Sequence, residues 1–176
     1  MTGTEDRPPV IGIAGWKNSG KTTLVARLVE DLTARGFAVA TVKHAHHGFE
    51  IDPGETDSAR HRRAGARQVA IVSPTRWALV NELKGEPEPT LDAVIASLGR
   101  CDVVIVEGYK RAPIPKIEVR RTAAALRTPL ADSDPNVVAI VADHAVEGAA
   151  VPVYSLDDVT GIADRICDTL SLRKRA

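Results

Sequence analysis

The stretch GWKNSGKT, Gly15 to Thr22, matches the pattern G-x-x-x-x-G-K-[ST] at every fixed position. An apolar run at residues 10–14 (VIGIA) precedes it and reads as a buried strand. A helical pattern follows it, with Leu24, Val25, Leu28, Val29 and Leu32 on one face. A strand must therefore feed a tight loop, and a helix must start where the loop ends. Glycines let the backbone wrap closely, so that successive N–H groups point inward and form an anion cradle. The helix start adds the positive end of its dipole. Lys21 would reach the β- and γ-phosphates of a nucleotide, and the Thr22 hydroxyl would serve Mg²⁺. Lys17 reads either as a solvated loop residue or as a second lysine reaching a phosphate across a dimer interface.

The rest of the chain continues the alternation that this start sets up. The first helix, expected over residues 22–35, stops at Gly36, a good C-cap. Residues 37–42 (FAVATV) form a second strand and 68–73 (QVAIVS) a third, with 75–83 as a hairpin partner. Residues 45–56 read as a loop and 57–64 as a short helix ending at Gly65. A helix at 91–98 opens at Thr90, and 102–106 (DVVIV) is the most strand-like run of all. Residues 137–141 and 151–154 add strands, and 156–170 a terminal helix capped by Ser155. Pro113 and Pro115 mark 114–119 as an edge strand or arm rather than a central strand. The pattern predicts a three-layer α/β fold with a mainly parallel sheet flanked by helices, plus an extended arm. With 176 residues and no internal repeat or dividing linker, one domain is expected, with a flexible segment at 1–8 and a basic tail at 171–176.

Composition excludes several classes. Lys+Arg and Asp+Glu number 23 each, so no general nucleic-acid or membrane coat is expected. No window approaches the roughly 18 apolar residues of a membrane span. The acidic start MTGTEDRPP reads as no signal peptide, and two scattered cysteines suit a reducing cytoplasm.

A phosphate loop needs an acidic partner near Mg²⁺, at the carboxyl end of a neighbouring strand. Glu107 closes DVVIVEG at that end, whereas Asp102 opens the strand at the wrong one. Gly108 beside it would leave room for a phosphate or substrate. Lys21 and Glu107 are the candidate catalytic side chains. After the second strand come Lys43, His44, His46 and His47, then Asp52 and Asp57. This segment reads as a metal site built from His44, His46 and Asp52, as a loop sensing the γ-phosphate with Asp52 or Asp57 in the outer shell of Mg²⁺, or as a solvated loop. The cluster from Arg60 to Arg67, like Lys110, Arg111 and Lys116, reads either as a charged face or as a pocket for an anionic second ligand. Asp143, after a strand, reads either as a plain strand-end Asp or as the acceptor for the N1–H and amine of guanine, a donor pair that adenine lacks; the full N-K-x-D tetrad is absent. No side chain stands out as a strong general base.

Taken together, "GWKNSGKTTL", "TVKHAHHGFEIDPGETDSARHRRAGA" and "DVVIVEGYKRAPIPKIEV" resemble the molybdopterin-guanine dinucleotide biosynthesis protein B family, from Val10 to about Leu170. The resemblance implies a P-loop NTPase fold and a dimeric GTP-binding protein with weak GTPase activity. It implies assistance in joining GMP to molybdopterin, beside a separate guanylyltransferase. It implies that the stretch from Gly15 to Thr23, with Gly15, Lys17, Asn18, Ser19, Gly20, Lys21, Thr22 and Thr23, holds the GTP phosphates and that Thr22 and Glu107 serve Mg²⁺. The signature lysine of related dimeric ATPases falls where Trp16 stands, with Lys17 displaced by one. Two rival readings are a small-molecule kinase with the Arg60–Arg67 stretch as its lid and a nickel-enzyme metallochaperone GTPase.

Overall fold

The computed structural model describes residues 7–45, 48, 49, 51, 54–124 and 128–173. Its strands are β1 (Val10–Gly15), β2 (Val39–Lys43), β3 (Gln68–Val72), β4 (Trp77–Asn81), β5 (Val103–Glu107), β6 (Lys116–Arg120), β7 (Val137–Ala142) and β8 (Val153–Ser155). Its helices are α1 (Lys21–Ala34), α2 (Asp57–Arg63), α3 (Leu91–Ala96) and α4 (Val159–Leu170). Two compact units result, one of residues 1–44 with 91–176 and one of residues 45–90.

The larger unit holds a six-stranded sheet in the order β2-β5-β1-β6-β7-β8. Every pairing in it is parallel. Side chains alternate across a strand, so each face needs its own cover. Ile11, Ile13, Val103, Ile105, Ile117 and Val119 pack on one face with Leu24, Leu28 and Leu32 of α1 and Ile162 and Ile166 of α4. Val10, Val42, Val104 and Val106 pack on the other with Leu91 and Ile95 of α3. Both faces being buried, β1 and β5 read as continuous apolar runs rather than as alternation. Each fully buried Leu or Ile adds roughly 2 kcal/mol of hydrophobic stabilisation. The expected layered α/β fold is the observed one.

α1 ends as the sequence requires. Gly36 takes φ 90, donating to Thr33, while Phe37 donates to the Leu32 carbonyl. That pair of bonds is a Schellman motif, and its left-handed residue is strained for anything with a Cβ.

Two expectations need correction. The segment expected at the edge, 114–119, is instead central: β6 lies between β1 and β7 and is almost wholly buried. Both prolines precede the strand, so neither removes a ladder donor inside it. They stiffen residues 108–115, a helix-free crossover from the end of β5 to the start of β6. The second correction concerns the last helix. It begins at Val159, and Asp158, not Ser155, caps it by accepting from the Gly161 N–H at 3.0 Å. Ser155 is the last residue of β8.

The smaller unit carries α2 and an antiparallel hairpin of β3 and β4. Thr56 caps α2 by accepting from the Ala59 N–H.

Candidate functional site

The register of the sheet decides what meets at its carboxyl end. Ile13 of β1 stands opposite Glu107 of β5, and Glu107 opposite Lys43 of β2. The loop that leaves β1 therefore turns directly above Glu107 and Lys43. Gly15 begins the turn with φ 154. A Cβ there would lie 2.5 Å from the Val119 carbonyl oxygen of β6 and 2.7 Å from the Ser19 hydroxyl. Only glycine fits so close to backbone. Asn18 takes φ 65, a left-handed value that its short polar side chain tolerates. Ser19 is buried, Lys17 and Thr23 are exposed, and Gly20 is the N-cap of α1. Among the described residues no side chain caps that helix. Its first N–H groups are left to the loop, which suits an anion.

Lys21, the first residue of α1, folds back to donate to the Trp16 carbonyl at 2.7 Å. Thr22 donates its hydroxyl to Glu107 Oε1 at 2.7 Å. Lys43 stands 3.3 Å from the same carboxylate oxygen and 3.3 Å from the Thr22 hydroxyl. Burial lowers the Lys21 ammonium from its ordinary range; Glu107 draws it back up, and Lys110 and Lys43 push it further down. The Lys110 ammonium is 3.8 Å from the centre of the Trp16 ring, and burial lowers its pKa also. Three lysines and one buried carboxylate thus converge on the loop.

The hydroxyl of Thr22 and the carboxylate of Glu107 fit a Mg²⁺ ion. They are hard oxygens, and this cation usually takes one or two protein ligands and fills its other positions with phosphate oxygens and water. Asp52, the third metal candidate, lies outside the described residues, as do His46 and His47. The His44 ring lies 4.8 Å from that of Tyr109. Among the described residues, no group of three or more His, Cys, Asp or Glu could hold a metal ion. Nor does Gly108 leave open room: a Cβ there would lie 3.1 Å from the His44 Cβ.

Asp143 follows β7 on the far side of the loop. Its Oδ1 accepts from the Thr122 N–H and hydroxyl at 2.8 and 3.0 Å and pairs with His144 Nδ1 at 2.8 Å. The His144 contact first, then the Thr122 N–H, lowers its carboxyl from 3.8 to about 2. Oδ2 faces Arg121 at 3.8 Å. Two concavities meet here. One of about 230 Å³ runs from Trp16 and Ser19 to Arg121 and His144. The other, of about 510 Å³, is bordered by Asp143, Tyr154 and Asp157.

Lys116 is no pocket cation. It is fully buried, donating to the carbonyls of Lys110 and Ala112 at 2.9 and 2.8 Å and pairing with Asp134. Reading the sequence did not single out Lys43 for the site, nor Arg121, Thr122 and His144 for the surroundings of Asp143. Lys43 ends a strand, but only the pairing of β2 with β5 sets it against Glu107.

A parallel sheet, a phosphate loop at its carboxyl end and an acidic strand end beneath that loop define a P-loop NTPase-like protein. The model of the family described as "Molybdopterin guanine dinucleotide synthesis protein B" matches residues 10–143. The chain belongs to that family. It is 34% identical over 162 residues to the molybdopterin-guanine dinucleotide biosynthesis adapter protein of Escherichia coli, covering 91% of this chain and 92% of that one. It is 38% identical to the adapter protein of the same name from Haemophilus influenzae, over 142 residues, 79% of this chain and 77% of that one. The crystal structure of Bacillus subtilis MobB superposes with a TM-score of 0.70 at 26% identity, over 96% of this chain and 99% of that one. A crystal structure of molybdopterin-guanine biosynthesis protein B gives 0.71 at 29% identity, over 92% and 99%.

Proposed function

We propose that this chain is a GTP-binding adaptor in molybdenum-cofactor biosynthesis, assisting the attachment of GMP to molybdopterin beside a guanylyltransferase. The observation that carries the reading is the arrangement of the loop. Lys21 is parked on a backbone carbonyl, and Thr22 sits on Glu107 at 2.7 Å. A triphosphate would offer Lys21 a charged acceptor in place of a neutral one, a bond roughly twice as strong. Bound Mg²⁺ would neutralise charge on the β- and γ-phosphate oxygens, held by Thr22 and Glu107. The backbone of Gly15, Asn18, Ser19 and Gly20, with Thr23 in the first helical turn, would surround the phosphates. The base would lie toward Asp143, which as an ionised carboxylate only accepts hydrogen bonds at neutral pH. Oδ1 already has three partners, so a guanine would meet Oδ2, which it would share with Arg121.

Hydrolysis in this reading is weak and Mg²⁺-dependent, since among the described residues nothing at the loop stands out as a general base. The protein then acts by binding rather than by turnover. The adaptor role comes from relatives of that name at 34 and 38% identity. No helix among the described residues is long and apolar enough to cross a membrane, and a cytoplasmic location is part of the proposal. So is a homodimer, which the apolar exposed hairpin supports: Val72 and Trp77 are register partners and stand 76% and 69% exposed.

Two measurements test the proposal. GTP should bind at least tenfold more tightly than ATP, about 1.4 kcal/mol; equal affinities would remove the Asp143 assignment. Added to a purified guanylyltransferase with GTP and molybdopterin, the chain should raise the yield of the dinucleotide product. No change in yield would remove the adaptor role.

A further inference from the structure

We infer that Lys110, seated on the ring of Trp16, is the cation that reads the terminal phosphate of a bound nucleoside triphosphate. The inference rests on the loop being a nucleotide site. It names the group there that tells a triphosphate from a diphosphate.

Four observations lead to it. The Lys110 ammonium lies 3.8 Å from the centre of the Trp16 ring, and Trp16 is the residue after Gly15 in the phosphate loop. The ring is itself fixed, because Trp16 Nε1 donates to the Thr128 carbonyl at 2.7 Å. The backbone of Lys110 is fixed from the other side, where the buried Lys116 ammonium donates to its carbonyl at 2.9 Å and is anchored on Asp134. Tyr109, just before, takes φ 45, a left-handed value rare for an aromatic residue. Such a conformation persists only where its surroundings impose it. The direction of the chain at Lys110 is therefore set rather than free.

The charge is set against its own interest. Burial lowers the Lys110 pKa, and no carboxylate is paired with it among the described residues. Lys21 opens the helix that this loop feeds, and Lys43 stands at the end of the strand paired with β5. A buried ammonium without an anion opposes folding, whereas an anion beside it relieves that cost. A ring face holds an ammonium but does not neutralise it. Lys43 already has Glu107. With Lys21 assigned to the β- and γ-phosphates from its seat on the Trp16 carbonyl, Lys110 is the further cation without a carboxylate partner among the described residues, and it belongs to the segment leaving Glu107, which ends the strand next to the loop. A phosphoryl group beyond the reach of a diphosphate would meet it. In phosphoryl-transfer proteins a cation at that place usually comes from an arginine, in cis or in trans. Here it is a lysine in cis, and the ring that holds it stands in the loop.

Paired titrations with GTP and GDP in Mg²⁺ test this on the full chain. Lys110→Ala should weaken GTP about tenfold and change GDP by no more than about twofold. Lys110→Arg should keep most of the preference. Trp16→Ala should cause a similar loss for GTP, and the double variant should lose little more, because both changes remove one contact. Equal effects of Lys110→Ala on the two nucleotides, or none on either, would overturn the inference while leaving the loop a nucleotide site. Wild-type protein that binds neither nucleotide would overturn both. GDP binding shows that a variant is folded. Should Trp16→Ala lose it, the comparison of Lys110→Ala with Lys110→Arg decides.

Discussion

A lysine as buried as Lys116 is stable only because every proton on its ammonium has an acceptor: two carbonyls and the Asp134 carboxylate. Removing one half of such a pair strands the other. Lys116→Met should lower stability by about 3 kcal/mol in urea titration; a loss under about 1 kcal/mol would mean that water already reaches the pair. Asp143 gives a pH signature. Its folded pKa of about 2 lies below the ordinary 3.8. Its contribution to stability is therefore complete above about pH 4 and lost as pH falls toward 2. Thermal melts from pH 5 to 2 should show a steeper loss for wild type than for Asp143→Asn, and parallel curves would contradict the hydrogen-bonded carboxylate. At this scale the sequence was legible where chemistry imposes a fixed spacing. Gly15, Lys21 and Thr22 are such residues. Lys116 was not, because a lysine's letter does not say whether three acceptors surround it.

Elements follow from different forces, and their legibility differs accordingly. β1 and β5 were readable because burial on both faces demands an unbroken apolar run. β6 reads as an edge from Pro113 and Pro115, yet it is central because both prolines lie just before the strand. The start of α4 is not legible because Ser and Asp are both good cap types: the Ser155 hydroxyl accepts from the Asp157 N–H ahead of the helix, and only the Asp158 carboxylate accepts from an N–H inside it, that of Gly161. Asp158→Ala should cost about 1 kcal/mol, and Ser155→Ala at most a few tenths, by denaturant titration. A larger cost at Ser155 would restore it as the cap. Strand order was the least legible property. Nothing in the letters pairs β2 with β5, yet that pairing brings Lys43 to Glu107.

For the whole molecule, the sheet order places the phosphate loop between the strand that ends in Glu107 and the strand that ends beside Arg121. Phosphates and metal would lie over one side, and the base over the other. Among the described residues the hairpin of the smaller unit has no third strand on either edge, and it carries exposed apolar side chains, a template for a second copy. Sedimentation should give a dimer, and Trp77→Glu should shift it toward monomer; a wild-type monomer at all concentrations would contradict the proposed homodimer. Everything functional rests on the loop holding a triphosphate through its amides and Lys21. Calorimetric titration of GTP with Mg²⁺ tests that most directly, comparing wild type with Lys21→Ala, whose circular dichroism should match. Expected is one GTP per chain for wild type and no measurable binding for the variant. A variant that binds GTP as tightly as wild type, or a wild type that binds none, would contradict it.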